Sequence, residues 1–266
     1  MKKSLGQLEM RLLAYIQLRS LRTVHVGELR EPLHLTDIQE LKLLSRLEKA
    51  GLIARVYRGL YLVPPRLPVG GKWSPDEALA LNALMTEKHG RYQICGPNAF
   101  NRYGFDEQIP ARVYAYNNRL SGERQIGTVA LTLIKVADER LGDTEKVRTS
   151  EGGKVVYASR TRTLVDAVYD WSRFNSLPRG YEWIRRELKA RRVTAAGLVK
   201  TTLRYGDTGT IRRIGALLER EGMEESLLRR PDRALKPTTG LIPWDPSRPK
   251  RGTLNRRWGV VFNEQA

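Results

Sequence analysis

Few side chains in this chain have the type and spacing that chemistry needs. His25, His34, His89 and Cys95 are the only histidines and cysteine, and they fall in unrelated contexts where a zinc site needs clustered ligands. No glycine-rich phosphate loop and no Gly-x-Ser-x-Gly elbow occurs. Asp166 and Asp170 precede Glu187, Leu188 and Lys189. Carboxylates that hold magnesium and a lysine that activates water are what a metal-dependent nuclease uses. That spacing is common by chance, however, and both pieces read as helical. Asp166 is expected to face solvent or to pair with Arg162 one turn earlier. No catalytic residue, metal ligand or cofactor is expected, and the chain reads as a non-enzyme. What remains is cationic chemistry: 47 Lys and Arg against 29 Asp and Glu give a net charge of +18, which favours an anionic partner.

The cations become informative on the elements that carry them. Thr36 and Gln39 match a helix-capping box, and Gly51 stands where a C-terminal glycine cap belongs, so a helix is expected between them. Ile38, Leu41, Leu43, Leu44 and Leu47 should form its apolar side, with Glu40 near the leucines and in need of a partner or solvent. Gln39, Lys42, Arg46 and Lys49 fall within an arc of about 80° opposite Leu44 at 100° per residue. The following stretch, GLIARVYRGLYLVPP, predicts a hairpin: strand Leu52 to Val56, a turn at Gly59 and a return strand Leu60 to Val63 stopped by Pro64 and Pro65. Upstream, Ser4 to Arg19 reads as one amphipathic helix, and Val24 to Leu29 as a short second helix ended by Pro32.

Three helices and a hairpin make a winged helix-turn-helix, in which the third helix enters a major groove and the wing meets the backbone. Gln39 and Lys42, with Thr36 near the helix start, are the candidates for base reading. Arg46, Lys49, Arg55 and Arg58 should meet phosphate, with Tyr57 beside them on the wing. The expected partner is therefore double-stranded DNA.

The fold class expected is α+β: a winged helix-turn-helix over 1–66, a mixed α/β domain over 74–235, and a basic proline-rich tail over 236–266 packed on or wrapping that domain. The tail has too many prolines to promise regular structure. A boundary is suggested by PPRLPVGGKWSP. The charge is +6 over 1–66, +3 over 67–180 and +9 over 181–266. In the second region a helix is expected to start at Ser74, Pro75 and Glu77, with strands at Tyr92 to Cys95, Arg112 to Tyr116, Val129 to Val136 and Val155 to Ala158. A turn at Glu151, Gly152 and Gly153 should lead into the last strand. Helices should follow at Arg160 to Trp171, Gly180 to Arg191, Ala195 to Arg204 and Thr210 to Glu221. In the last, Arg212, Arg213 and Arg220 are placed outside the core face or at its edge, a candidate second DNA surface. No stretch has the length of a membrane span and the start lacks a signal-peptide core, which points to a cytoplasmic protein with no membrane partner. The single Cys95 agrees with a reducing compartment.

Four stretches in order, LSRLEKAGLIARVYRGLYLVPP, YQICGPNAFNRYGF, ASRTRTLVDAVYD and TIRRIGALLEREGM, give the sequence a resemblance to the AbiEi antitoxin family of bacterial transcriptional regulators, over nearly the whole chain. The resemblance implies an N-terminal winged-helix DNA-binding domain and a C-terminal antitoxin domain, on which Arg212, Arg213 and Arg220 become a candidate toxin-neutralising surface as well. It implies repression of the chain's own operon at inverted repeats, and neutralisation of a nucleotidyltransferase toxin in abortive phage infection without a stable toxin complex. The alternatives are a winged-helix regulator whose C-terminal domain senses a ligand and, third, the metal-dependent nuclease.

Overall fold

The computed structural model describes residues 6–66, 72–149, 153–236 and 240–264. Packing divides the chain into two units that do not follow chain order. One comprises Met1–Tyr92, Ala111–Val136 and Lys146–Val155, the other Gln93–Pro110, Ala137–Glu145 and Val156–Ala266.

The first unit begins with α1 (Gln7–Leu18), β1 (Thr23–His25), α2 (Arg30–Leu33), α3 (Asp37–Lys49), β2 (Ala54–Tyr57) and β3 (Leu60–Leu62). Ser4 and Leu5, expected in the first helix, lie outside the described residues. Val24 to Leu29 is not a helix. Thr23 to His25 pairs antiparallel with Leu62 to Leu60, so the wing is a three-stranded sheet in the order β1-β3-β2. The β-branched Thr23 and Val24 suit that strand, and Val24 goes to the core. The second helix starts later, at Arg30, and Pro32 sits inside its first turn, where a missing N–H costs nothing. Leu12, Leu13 and Ile16 of α1 close on Leu43, Leu44 and Leu47 of α3.

The third helix forms as its caps predict: Thr36 Oγ1 accepts from Gln39 N at 3.3 Å, and Gln39 Oε1 accepts from Thr36 N at 2.9 Å. Gly59 turns the hairpin at φ +93°, a conformation open to glycine at little cost. Residues 67–71 of the expected linker lie outside the described residues.

Next come α4 (Glu77–Glu87), β4 (Tyr92–Ile94), α5 (Gly96–Arg102), β5 (Val113–Asn117), β6 (Gly122–Ile126), β7 (Val129–Lys135), β8 (Thr144–Arg148) and β9 (Lys154–Ala158). The N-cap of α4 is Asp76, which accepts from Leu79 N at 2.7 Å, and not Ser74. Ser74 Oγ instead accepts from Thr128 N at 2.9 Å. Strand β7 pairs in parallel with β5 and antiparallel with β6, all within the first unit. The turn expected ahead of β9 falls mostly on residues 150–152, outside the described ones.

The second unit is mainly helical: α6 (Arg160–Tyr169), α7 (Trp171–Phe174), α8 (Arg179–Lys189), α9 (Ala195–Tyr205), α10 (Thr208–Arg220) and α11 (Glu225–Ala234). Asp166 does not face solvent. It is fully buried and takes Arg162 Nε at 2.9 Å and Arg140 Nη2 at 3.2 Å, so only the pairing expected from sequence holds. The tail, expected to be irregular, forms β10 (Ile242–Pro243), β11 (Thr253–Asn255) and β12 (Val260–Phe262), a sheet ordered β10-β12-β11. Two fully buried tryptophans, Trp244 and Trp258, fix it. Trp258 lies where a Cβ on Gly215 of α10 would be, so only glycine leaves room for the indole there. Tyr181 of α8 stacks on Trp244 with centroids 3.7 Å apart and donates to its carbonyl at 2.9 Å.

Candidate nucleic-acid interface

The inner face of α3 is set by four buried residues, Glu40, Leu43, Leu44 and Leu47. Glu40 is a carboxylate with no exposure. It accepts from Gly27 N at 2.9 Å, Leu29 N at 3.1 Å and Arg30 Nε at 3.0 Å, so it clamps the chain entering α2 onto α3. A buried carboxylate is tolerable when its lone pairs are filled in this way. Arg30 also reaches Asp37 at 2.9 Å, which offsets the acid in the first turn of α3.

Because Glu40 is inside, the buried arc is centred roughly 50° away from Leu44 at 100° per residue. That turns Ile38 and Leu41 outward. They are 65% and 49% exposed and do not belong to the core in which sequence reading put them. The outer face of α3 therefore carries Ile38, Leu41, Lys42 and Lys49, with Gln39 and Arg46 on one flank, all exposed.

These flanking residues differ in how free they are. Thr36 and Gln39 spend their side-chain oxygens on the capping box. Arg46 reaches Glu9 of α1 at 3.4 Å. Arg55, exposed on β2, points Nε at its neighbour Tyr57 O at 3.4 Å. Tyr57 is half-buried; its hydroxyl donates to Glu87 of α4 and its ring lies 4.2 Å under Lys88 Nζ. The bond to Glu87 holds the phenol above its usual pKa. A β-bulge between Arg55 and Tyr57 re-aims the strand there. Lys42, Lys49 and Arg58 are exposed, and among the described residues no carboxylate pairs with them. Beside Lys49 and Arg55, still within the first unit, a cavity of about 580 Å³ is also lined by Lys72, Trp73 and Thr128.

The second candidate surface, expected at Arg212, Arg213 and Arg220, is largely internal. Arg212 and Arg213 are only 5% and 7% exposed. Arg212 donates to Trp258 O and Gly240 O, each at 2.6 Å, and to Gly259 O. Arg213 donates to Pro243 O at 3.3 Å. Burial, and then the adjacent Arg213, push the Arg212 pKa below the ordinary guanidinium value. Arg220, nearer the surface, is bound to Glu264 at 2.6 Å. The C-terminal sheet covers the face that helical periodicity left outside.

Residues 11–64 match the family model described as transcriptional regulator, AbiEi antitoxin. No curated protein matches the chain. Among solved structures, the crystal structure of the RV2827C protein from Mycobacterium tuberculosis is similar, with a TM-score of 0.58 and 12% identity over 98% of this chain and 92% of that one. At that identity the likeness is one of fold. No helix among the described residues is long and apolar enough to cross a membrane.

Proposed function

We propose that this chain is a DNA-binding antitoxin of the AbiEi type, which represses its own operon at inverted repeats and counters a nucleotidyltransferase toxin. The observation that carries the DNA-binding part is the outer face of α3 and the wing tip. Lys42, Lys49 and Arg58 are exposed there without carboxylate partners, in the segment that matches an antitoxin regulator family. Lysines near the first turns of a groove-bound helix reach base edges, and an arginine on a wing reaches phosphate. Lys42 is accordingly the base-reading cation. Lys49, Arg55 and Arg58 contact the backbone, and Arg46 adds to them where it leaves Glu9. The region from residue 74 onwards carries neutralisation.

The test uses the full chain with Lys42 and Arg58 both replaced by alanine. Repression of a reporter under the chain's own upstream DNA should be lost, while co-expression with the neighbouring toxin should still restore growth. Loss of both activities in a folded protein would refute the division of labour. A parent protein that binds its upstream DNA no better than random DNA would refute the whole reading. The second reading is a winged-helix regulator whose C-terminal domain senses a ligand, for which the open cleft where Lys72, Trp73 and Thr128 meet Lys49 and Arg55 is the place to look; it requires operator affinity to change with an added metabolite.

A further inference from the structure

On α3, the first turns face outward at Asp37, Ile38, Gln39, Leu41 and Lys42. Asp37 is held by Arg30 at 2.9 Å, and Gln39 is held by the cap. The side chains left for a groove are Lys42 and two apolar ones, Ile38 and Leu41. Three residues apart on a helix, Ile38 and Leu41 are neighbours, and Ile38 lies one turn before Lys42. The pair is solvent-exposed, at 65% and 49%, while Leu43, Leu44 and Leu47 of the same helix are buried.

Lone exposed apolar residues are ordinary. Here two stand together at the base-reading end of the helix, with Lys42 and Lys49 along the same face and Arg58 on the wing. The partner that fits must be anionic at its rim and apolar at points on its floor. The major groove of DNA is such a surface, because thymine presents a C5-methyl group between the phosphate walls. A second copy of this chain would bring the same cations against these and is disfavoured by charge.

The geometry points to Ile38 and Leu41 as specificity-determining residues that read thymine methyl groups in the major groove. This rests on the DNA-binding reading above. Specificity then comes from a mixed apolar and cationic patch in which Gln39 has no part. The operator half-site should carry thymines opposite the first two turns of α3.

A duplex selected by the full chain from random DNA supplies the probe, and each thymine in turn is replaced by deoxyuridine, which removes only the methyl. Losing one buried methyl should weaken binding by about four-fold. The parent should show this loss at one or two thymines. Ile38→Ala and Leu41→Ala should each bind the thymine duplex more weakly by a similar factor and become indifferent to uracil at one of those positions. Their salt dependence should stay that of the parent, since no phosphate contact is removed. Circular dichroism should show both folded, as neither side chain is in the core. If the parent distinguishes the selected duplex from random DNA yet ignores every uracil substitution, the thymine reading is overturned and DNA binding stands. If uracil sensitivity persists unchanged in both variants, other residues read the methyls and the assignment is overturned. A parent without sequence preference would overturn both.

Discussion

Two helices of this protein carry arginine and lysine at similar density and use them in opposite ways. On α3, Lys42 and Lys49 point to solvent with no carboxylate among the described residues to hold them. On α10, Arg212 and Arg213 are buried and donate to main-chain carbonyls of the C-terminal segment. Around them Arg220, Arg185 and Arg257 are each tied to glutamates. Four of the cations of 181–266, Arg212, Arg213, Arg220 and Arg257, are thus spent on contacts between helices and the proline-rich segment, while Lys189, Lys200 and Arg230 stay exposed without a carboxylate among the described residues, as Lys42 and Lys49 do in 1–66. A basic count measures the attraction of a region for anions only after its internal partners are subtracted.

The comparison breaks first at Arg212. Arg212→Ala leaves three carbonyls without their charged donor, and unfolding by urea should show a loss of about 3 kcal/mol or more. The salt slope of DNA binding should not move. A stable Arg212→Ala protein with weakened DNA binding would mean that α10 is an interface after all.

Lys42→Ala should cost about 1 to 3 kcal/mol of operator affinity and relax preference at one base position, with folding stability changed by less than about 0.5 kcal/mol. Titrating operator and point-mutated operators against both proteins measures this. A stability loss without an affinity loss would make α3 resemble α10.

Arg58→Ala, at the wing tip, should weaken operator and random DNA alike, and reduce the salt slope by about one unit. Equal slopes for parent and variant would remove the wing from the interface.

The smallest effect sharpens the other side of the comparison. Arg257 holds Glu225 through paired contacts of 2.8 and 2.9 Å, and that hydrogen bonding keeps the Glu225 carboxyl below its usual pKa. A depressed carboxyl adds stability above the ordinary carboxylate range and loses it as the pH falls through the depressed value. Melting temperatures between pH 6 and pH 3 should therefore fall less steeply for Arg257→Gln than for the parent. Identical profiles would leave the pair without a structural role.

How much was legible follows from where each signal resides. Thr36, Gln39 and Gly51 announce α3 because a capped helix terminus is a local matter of hydrogen bonds between near neighbours in sequence. The hairpin was readable through Gly59 for the same reason. Strand β1 was not: a three-residue stretch has no period, and only pairing with β3 makes Thr23–His25 a strand. Strand β6 was missed because GERQI is polar, with only Ile126 of its residues buried. Pro231 inside α11 and the Gly96-Pro97 start of α5 hid two further helices.

The sequence by itself determined that a cationic winged helix starts this chain, since caps, turn glycine and charge are all local. Tertiary structure decided which cations are free and which way α3 faces. Glu40 turned inward because the main-chain N–H groups of Gly27 and Leu29 and the Arg30 side chain meet it there, from more than two turns away in sequence. That rotation carried Ile38 and Leu41 out to solvent. Arg212 became a pin because carbonyls from residues 240, 258 and 259 return to it. No periodicity contains such returns, because burial depends on what the rest of the chain brings alongside.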